Sequence, residues 1–337
     1  MELTRDADLR PLNTFRVPAR AAFLARVEET DDLRRCLALP QLRELPRLVL
    51  GGGSNILLRG DFQGLVLSIC LRGMRVLGED AEATYLRAAA GEPWHDLVGW
   101  SIALGHAGLE NLSLIPGTVG AAPIQNIGAY GVELAERLHA VEALDLASGE
   151  LRRLQPADCG LGYRTSAFKQ GALSGHVVTA IEVRLPRQPR WVLDYPGVRE
   201  ALQAGADALD AARVSDAICG IRRRKLPDPV ELPNAGSFFH NPVVATETLA
   251  RLRAEHPELP AFRQADGRYK LSAAWLIERC GWKGQRRGDA GVYPGHALVL
   301  VNYGRATGAE LWALAEAIRD SVAERFGLLL SPEPLVL

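Results

Sequence analysis

The pattern of apolar and polar positions predicts a strand-rich first part of the chain. Short apolar runs bounded by turn residues predict strands at 21–27, 47–50, 64–70, 85–90, 141–146, 151–154 and 177–185. Helical spacing predicts helices at 31–39 and 94–104. The run at 177–185 alternates, with Ile181 and Val183 on one side and Glu182 on the other, as in a strand with one buried face.

After Pro196 the apolar positions recur with helical spacing instead. This spacing predicts helices at 215–226, 246–255, 272–280 and 307–326. The last helix has a capping box from Thr307 to Glu310, and Gly327 marks its end. The change of periodicity places a domain boundary near residues 200–214.

Composition and charge narrow the class of protein. A chain of 337 residues that is 47% hydrophobic and 23% charged can bury a sizeable core and form two or three domains. The net charge of −1 gives no basic excess, so we expect no nucleic-acid partner. The first eight residues lack an apolar signal core, and no apolar stretch reaches the ~18 residues that span a bilayer. We therefore expect a cytoplasmic protein without a membrane partner.

Cysteine and histidine spacing argues against disulfides and metal sites. The five cysteines are scattered, odd in number and without a Cys-x-x-Cys pair, so we expect reduced thiols in the core. The seven histidines show no spacing such as His-Glu-x-x-His. The sequence therefore predicts no metal ion.

Three stretches rich in glycine, small residues and amides point to ligand binding: 51–55, 116–131 and 234–242. Glycine lacks a Cβ and tolerates positive φ, so its backbone amides can approach a phosphate or a flat ring closely. The first stretch follows the predicted strand ending at Leu50, where α/β folds commonly bind ligands. No Gly-x-Gly-x-x-Gly is present, which argues against a Rossmann site. Tight turns without a ligand remain the alternative for each stretch.

Four further residues could carry chemistry. Ser237 lacks a Gly-x-Ser-x-Gly context, so it suits a proton donor better than an acyl-enzyme nucleophile, and a turn serine is the alternative. Glu333 lies between Pro332 and Pro334, which hold the backbone extended and suit a catalytic acid, whereas an exposed tail residue is the alternative. Arg164 and Arg222 are candidate anion contacts or solvated surface residues.

Taken together, the motifs resemble one enzyme family in their order along the chain. The motifs are Asn13-Thr-Phe-Arg16, Gly51-Gly-Gly-Ser-Asn55, Gly108-Leu-Glu-Asn-Leu112, Ile115-Pro-Gly-Thr-Val-Gly120, Gln125-Asn-Ile-Gly-Ala-Tyr-Gly131, Gly162-Tyr-Arg164, Lys225-Leu-Pro-Asp228, Asn234–Pro242 and Pro332-Glu-Pro334. The ordered set resembles the UDP-N-acetylenolpyruvoylglucosamine reductases over nearly the whole chain. The segment Leu193-Asp-Tyr195 is similar to the mobile tyrosine loop of one type in this family.

The resemblance implies an α+β fold. It implies a two-lobed FAD-binding domain of the vanillyl-alcohol-oxidase/PCMH-like type, with subdomains at 1–72 and 73–213, followed by a smaller α+β substrate-binding domain at 214–337. It also implies a monomeric enzyme of peptidoglycan precursor synthesis with FAD as cofactor and NADPH as reductant. The substrate would be UDP-N-acetylglucosamine enolpyruvate, which receives hydride from flavin N5 and becomes UDP-N-acetylmuramate.

The resemblance also implies roles for individual residues. Arg164 and Glu333 would stabilise the substrate carboxylate as negative charge builds on it, and Ser237 would deliver the proton to the adjacent carbon. Arg222 would face the N1–O2 edge of the reduced flavin. The implied cofactor-binding residues are Gly51, Gly52, Gly53, Ser54, Asn55, Pro116, Gly117, Thr118, Gly120, Gln125, Asn126, Gly128, Ala129, Tyr130, Gly131 and Arg222. The implied substrate-binding residues are Tyr163, Tyr195, Lys225, Asn241 and His296.

Two other functions stay open at this point. A different flavin oxidase or dehydrogenase on the same scaffold would keep the glycine-rich stretches, but it has no need for the Ser237 and Glu333 motifs together. A non-catalytic module that binds UDP-sugar or flavin predicts that Ser237→Ala changes no measurable property. Arg16 also departs from the family pattern, in which glycine is frequent at that position.

Overall fold

The structure is a computed structural model that describes residues 1–202 and 209–337. Part of the predicted boundary region at 200–214 therefore lies outside the described residues. The strands are β1 (Glu2–Asp8), β2 (Arg20–Val27), β3 (Arg47–Leu50), β4 (Ile56–Leu57), β5 (Phe62–Ile69), β6 (Met74–Glu79), β7 (Ala83–Ala89), β8 (Gly128–Ala129), β9 (Val132–Glu133), β10 (Leu138–Asp145), β11 (Leu151–Leu154), β12 (His176–Pro186), β13 (Asn234–Ser237), β14 (Val243–Val244), β15 (Ala261–Arg263), β16 (Tyr269–Leu271), β17 (Arg286–Arg287), β18 (Ala290–Val292), β19 (Val299–Asn302) and β20 (Leu335–Val336). The helices are α1 (Thr30–Ala38), α2 (Pro40–Arg43), α3 (Trp94–Ala103), α4 (Val198–Leu202), α5 (Ala211–Lys225), α6 (Thr246–Glu255), α7 (Ala273–Arg279) and α8 (Gly308–Phe326).

The chain divides into two compact units. The first unit comprises Met1–Ala7, Ala21–Gly52 and Gln63–Arg224, and the second comprises Asp8–Arg20, Gly53–Phe62 and Lys225–Leu337. Two short early segments thus belong with the C-terminal part of the chain. The division into 1–72, 73–213 and 214–337 stays a prediction, and each unit is described by itself below.

The first unit contains two larger sheets that share one core. One sheet has the strand order β1-β2-β5-β3, in which β3 and β5 are parallel. The other has the order β11-β10-β12-β7-β6, in which all neighbours are antiparallel. A single cluster of buried side chains takes Val27 and Leu67 from the first sheet, Leu86 and Ile181 from the second, and Leu97 from α3. Burial of this shared apolar surface stabilises the unit.

The strands predicted in this part of the chain are confirmed, but β1, β6, β8 and β9 were missed. The segment β3 has the predicted bounds, and α1 and α3 end one residue before their predicted ends. The missed strand β6 pairs only with β7 and is exposed at nearly every position, so it shows no alternation of apolar and polar residues. The strand β1 carries a single buried side chain, and β8 and β9 have only two residues each, too few to show a period of two.

The second unit has short strands and a long helix. One sheet has the antiparallel order β13-β19-β18-β17, a second has the order β14-β16-β15, and β20 pairs with β4 in parallel. All four residues of β19 are buried. The capping box predicted for α8 is present, with Thr307 and Glu310 each accepting from the other's backbone N–H, and Gly327 ends the helix with φ 67°.

The spacing of apolar residues after Pro196 did not predict the strands of this unit, although the expected α+β class of the C-terminal domain is confirmed. Its strands are four residues or shorter, and fully buried strands such as β19 have no polar side to alternate with. Two or three residues cannot establish a period of two. The predicted helices themselves are confirmed, and α6 has the predicted bounds.

Candidate functional site

Two glycine-rich loops of the first unit pack directly on each other. A Cβ on Gly51 would collide with Oγ1 of Thr118, and a Cβ on Gly52 would lie 3.1 Å from Cα of Gly117. Gly120 is equally confined, because its Cβ would lie 2.5 Å from Cβ of Ala90. The backbones of the two loops can therefore approach only because these positions are glycine.

The segment before and inside the first turn of α3 holds the second loop in place. Trp94 donates its backbone N–H to Gly117 O at 3.0 Å, and Val119 donates to Glu92 O at 2.8 Å. The indole Nε1 of Trp94 also donates to Leu112 O at 2.9 Å. Three hydrogen bonds thus fix the loop that begins at Leu112 and carries Pro116, Gly117 and Thr118.

Among the residues of these two loops, Thr118 gives the clearest indication of a bound ligand. Its Oγ1 is buried, and it has no hydrogen-bond partner among the described residues. A buried hydroxyl without a partner costs about 1–3 kcal/mol, so such atoms usually have one. A bound phosphate or hydroxyl group would satisfy it, which fits a nucleotide cofactor at the two loops.

The turn from Gln125 to Gly131 is strained and tightly bonded. Asn126 and Tyr130 have φ of 43° and 48°, in the left-handed region that residues other than glycine seldom adopt. The Asn126 amide donates to Glu133 Oε2 at 2.8 Å and to Gly162 O at 3.2 Å, and it accepts from Ala135 N–H at 2.9 Å. The Asn126 side chain therefore stabilises the turn. The predicted contact of Asn126 with the cofactor would have to come from its backbone, and it stays a prediction.

Arg164 is hydrogen-bonded to this same turn. Its Nη2 donates to Gly128 O at 2.8 Å, and its guanidinium carbon lies 5.6 Å from the ring centroid of Tyr163. Arg164 has φ of 55°, another left-handed residue. Such strain persists only where the surrounding structure fixes it, and it concentrates at functional sites. The predicted residues Gly128, Tyr163 and Arg164 are therefore neighbours in the first unit.

Arg222 and Tyr130 form a second cluster in this unit. Arg222 lies on α5, and hydrogen bonding and charge attraction from the Tyr130 phenol oppose the lowering of the Arg222 pKa by burial. Burial also raises the pKa of Tyr130, although Arg222 counteracts it. The Nε atom of Arg222 is buried without a hydrogen-bond partner among the described residues. The Tyr195 ring packs edge-on against Tyr130 at 5.1 Å, while 47% of Tyr195 is exposed.

In the second unit, a bulge in β13 sets the direction of Ser237. The register of β13 against β19 shifts between Asn234 and Ser237, and Gly236 has φ of 70°. The buried Asn234 amide accepts from Gly236 N–H at 2.8 Å and donates to Leu232 O at 2.8 Å and to Pro227 O at 3.2 Å. Bulges of this kind redirect the following side chain, so Asn234 and Gly236 position Ser237.

Glu333 is held against the residues that follow Ser237. Its backbone N–H donates to Phe238 O at 2.9 Å, and His240 N–H donates to Ser331 O at 2.9 Å. The two segments thus run side by side, and Nδ1 of His240 lies 3.7 Å from Oε2 of Glu333. The Glu333 side chain is 17% exposed, so it is no freely solvated tail residue. His240 was not among the predicted site residues, since nothing in its spacing along the sequence connects it to Glu333.

The end of the glycine-rich loop 51–55 belongs to this second unit. A Cβ on Gly53 would collide with Leu12 O, and Asn55 donates its Nδ2 to Glu333 O at 3.4 Å. Leu335 N–H donates to Asn55 O at 3.0 Å. Asn55 therefore lies beside the Glu333 segment, whereas Gly53 packs against Leu12.

Among the predicted substrate residues of the second unit, His296 lies near Lys225, and Asn241 lies at the start of α7. Burial lowers the pKa of His296, and the positive charges of Lys225 and Lys283 lower it further. His296 Nδ1 accepts from Leu298 N–H at 3.3 Å, so the neutral ring carries its proton on Nε2. Asn241 uses its Oδ1 to accept from Ala273 N–H at 2.9 Å, at the start of α7.

Each predicted residue thus has a place in one unit. The first unit holds Gly51, Gly52, Pro116, Gly117, Thr118, Gly120, Gln125, Asn126, Gly128, Ala129, Tyr130, Gly131, Tyr163, Arg164, Tyr195 and Arg222. The second holds Gly53, Ser54, Asn55, Lys225, Ser237, Asn241, His296 and Glu333.

The described residues contain neither a metal-binding cluster nor a membrane-spanning helix. Across 1–202 and 209–337, the His, Cys, Asp and Glu side chains form no group of three or more that could hold a metal ion. Within the same ranges, every helix is too short or too polar to span a membrane. All five cysteines are free thiols, and Cys36, Cys159 and Cys219 are buried.

Two family models match this chain. A model described as an FAD binding domain matches residues 21–155, and a model described as the C-terminal domain of UDP-N-acetylenolpyruvoylglucosamine reductase matches residues 228–337. The predicted cofactor, FAD, and the predicted α+β order of an FAD-binding domain followed by a smaller domain are therefore confirmed. Thr118 Oγ1 and Arg222 Nε are buried polar atoms that fit a nucleotide cofactor.

Several proteins with the same name are similar to this chain over nearly their whole length. A UDP-N-acetylenolpyruvoylglucosamine reductase from Azoarcus sp. (strain BH72) is 55% identical over 340 residues, covering 99% of this chain and 98% of the relative. One from Pseudomonas putida is 51% identical, covering 97% and 96%. The crystal structure of the Thermus caldophilus reductase matches with a TM-score of 0.67 at 25% identity, covering 99% and 98%. The chain therefore belongs to the UDP-N-acetylenolpyruvoylglucosamine reductase family.

Proposed function

We propose that the protein uses NADPH to reduce the enolpyruvyl group of UDP-N-acetylglucosamine enolpyruvate, giving UDP-N-acetylmuramate for peptidoglycan synthesis. Membership of the family makes the chain an FAD-dependent oxidoreductase. FAD, when bound, accepts hydride from NADPH and supplies it to the vinyl carbon of the substrate. A cytoplasmic location and a monomeric state stay predictions.

Residues of the first unit would hold the cofactor and bind charge. The Gly51–Gly52 backbone and the Thr118 hydroxyl would bind its phosphates, because these loops consist of small residues and hold a buried hydroxyl without a partner among the described residues. Arg222 would supply positive charge, because a guanidinium group stays protonated in proteins at neutral pH. Arg164, fixed through Gly128 O, would bind the substrate carboxylate.

Residues of the second unit would donate the proton and stabilise the substrate carboxylate. Hydride addition to the vinyl carbon leaves an enolate-like carboxylate on the substrate, and the adjacent carbon must then gain a proton. Ser237 would donate that proton, and a protonated Glu333 would stabilise the carboxylate by hydrogen bonding. The ordered backbone pairing of Glu333 with Phe238, one residue after Ser237, is the observation that carries this assignment.

Lys225 and His296 fit a UDP contact. The fixed charge of Lys225 suits a phosphate, and the neutral His296 offers an Nε2–H donor beside it. We assign Tyr163, Tyr195 and the Nδ2 group of Asn241 to the sugar nucleotide on the basis of the family resemblance.

An anaerobic absorption experiment tests the proposal. The flavin bands of the purified protein should bleach with NADPH and return only after UDP-N-acetylglucosamine enolpyruvate is added. Bands that return only with oxygen or another acceptor would rule out this substrate. A colourless protein that FAD cannot reconstitute would remove the basis for every step above.

A further inference from the structure

His95 contacts the backbone just before the loop that carries Thr118. It is the second residue of α3 and half-buried, and its Nδ1 accepts a hydrogen bond from Leu114 N–H at 3.1 Å. Leu114 has φ of 58°, a conformation that costs a residue with a Cβ roughly 1–2 kcal/mol. Since only Ile115 separates it from Pro116 and Gly117, the conformation of Leu114 sets the direction in which the loop begins.

This hydrogen bond requires a neutral imidazole. An Nδ1 that accepts from Leu114 carries no proton, so the ring proton sits on Nε2. Burial lowers the pKa of His95, and the charges facing it are Asp96 from its own helix, which raises it, and Arg223 and Arg222 from α5, which lower it. The pKa of His95 therefore lies below its ordinary value, which favours the neutral ring that this hydrogen bond needs.

We propose that His95 is a positioning residue whose neutral ring holds the Leu114 turn and the cofactor loop, so that acidification weakens FAD binding. Protonation places a hydrogen on Nδ1 facing the Leu114 N–H, and the bond is lost. The left-handed turn then lacks its restraint, and the loop must be ordered when FAD binds, which lowers affinity. The inference rests on the proposed assignment of Gly117 and Thr118 to the cofactor.

The direction of the pH effect follows from the lowered pKa. Well above the ordinary imidazole pKa, His95 is neutral whether the loop is ordered or not, and affinity is independent of its titration. As the pH falls through the lowered pKa, the ring takes up a proton and the restraint is lost. Losing one buried hydrogen bond corresponds to about tenfold in affinity.

Titration of the FAD-free protein with FAD, followed by quenching of flavin fluorescence at pH 7.5 and pH 5, tests this. The wild-type Kd should rise about tenfold more on acidification than that of His95→Asn, since Oδ1 of Asn can accept from Leu114 and does not titrate. His95→Leu should bind weakly at both pH values. His106→Asn, at a residue beyond the far end of α3, should behave as the wild type, and thermal unfolding of each FAD-free variant at both pH values checks its integrity.

Two results would overturn the inference in distinguishable ways. Parallel pH dependence in wild type and His95→Asn, or tighter binding on acidification, removes the role of His95 while leaving the cofactor site intact. Unchanged FAD affinity in Thr118→Val would remove the loop assignment itself, and the inference with it. If His95→Leu does not fold, the pH dependence of the Kd in wild type and in His95→Asn still tests the inference.

Discussion

The hydrogen bonds of Asn234 should measurably stabilise the second unit, and Asn234→Ala tests this. Its buried amide makes three hydrogen bonds, one with Gly236 N–H and two with the carbonyl groups of Leu232 and Pro227. Each contributes about 1 kcal/mol net, so their loss should cost about 3 kcal/mol. At roughly 2–4 °C per kcal/mol for a domain of this size, the melting temperature should fall by about 6–12 °C.

Calorimetric melting of the FAD-free protein measures this change, and Asn234→Ser provides the matched control. A serine hydroxyl can still accept from Gly236 N–H two residues on, so Asn234→Ser should recover about a third of the loss. The bulge should relax in Asn234→Ala, so reoxidation of the flavin by substrate should slow as well. A melting temperature within 2 °C of wild type would refute the reasoning, whatever the activity.

Three other substitutions give sharp expectations. Ser237→Ala should leave reduction by NADPH near normal but slow reoxidation by the enolpyruvyl sugar about 10²–10⁴-fold in stopped-flow measurements, and equal loss in both half-reactions would contradict a proton-donor role. Thr118→Val should raise the Kd for FAD about tenfold without lowering the melting temperature of the FAD-free protein, because it removes a hydroxyl without a partner. Hydrogen bonds from the half-exposed Arg153 lower the pKa of Glu182, although burial opposes them. Glu182→Gln should therefore lower the free energy of unfolding, measured in urea at pH 7, by about 1 kcal/mol. This difference from wild type should shrink as the pH falls below 4.5, because the wild-type carboxylate becomes protonated. A difference that stays constant down to pH 3 would argue against this.

Local signals predicted the parts of the fold that depend on neighbours in sequence. The capping box of α8 needs only Thr307 and Glu310, three residues apart, and the glycine positions of the loops follow from backbone sterics. The family resemblance found the candidate residues because their motifs are contiguous. These features could therefore be predicted before the structure was known.

Contacts between distant segments could not be predicted in this way. His95 and Leu114 are 19 residues apart, and their bond depends on how α3 meets the loop. The proximity of His240 and Glu333 depends on the side-by-side course of two segments from different parts of the chain. The grouping of 8–20 and 53–62 with the C-terminal part also has no sequence signal.

The pairing of β4 with β20 has a consequence for the order of folding. Asn55 and Glu333 are 278 residues apart, yet a hydrogen bond and the parallel pairing of adjoining strands join their segments. Closing so long a loop carries a large entropic cost, and contacts of this separation form late on a folding pathway. A newly folding molecule would therefore acquire the contacts within 63–224 before Glu333 reaches its position. Glu333, whose catalytic role is our proposal, would be among the last groups to reach its position, so a kinetically trapped chain would be compact and still lack this carboxyl group at the site.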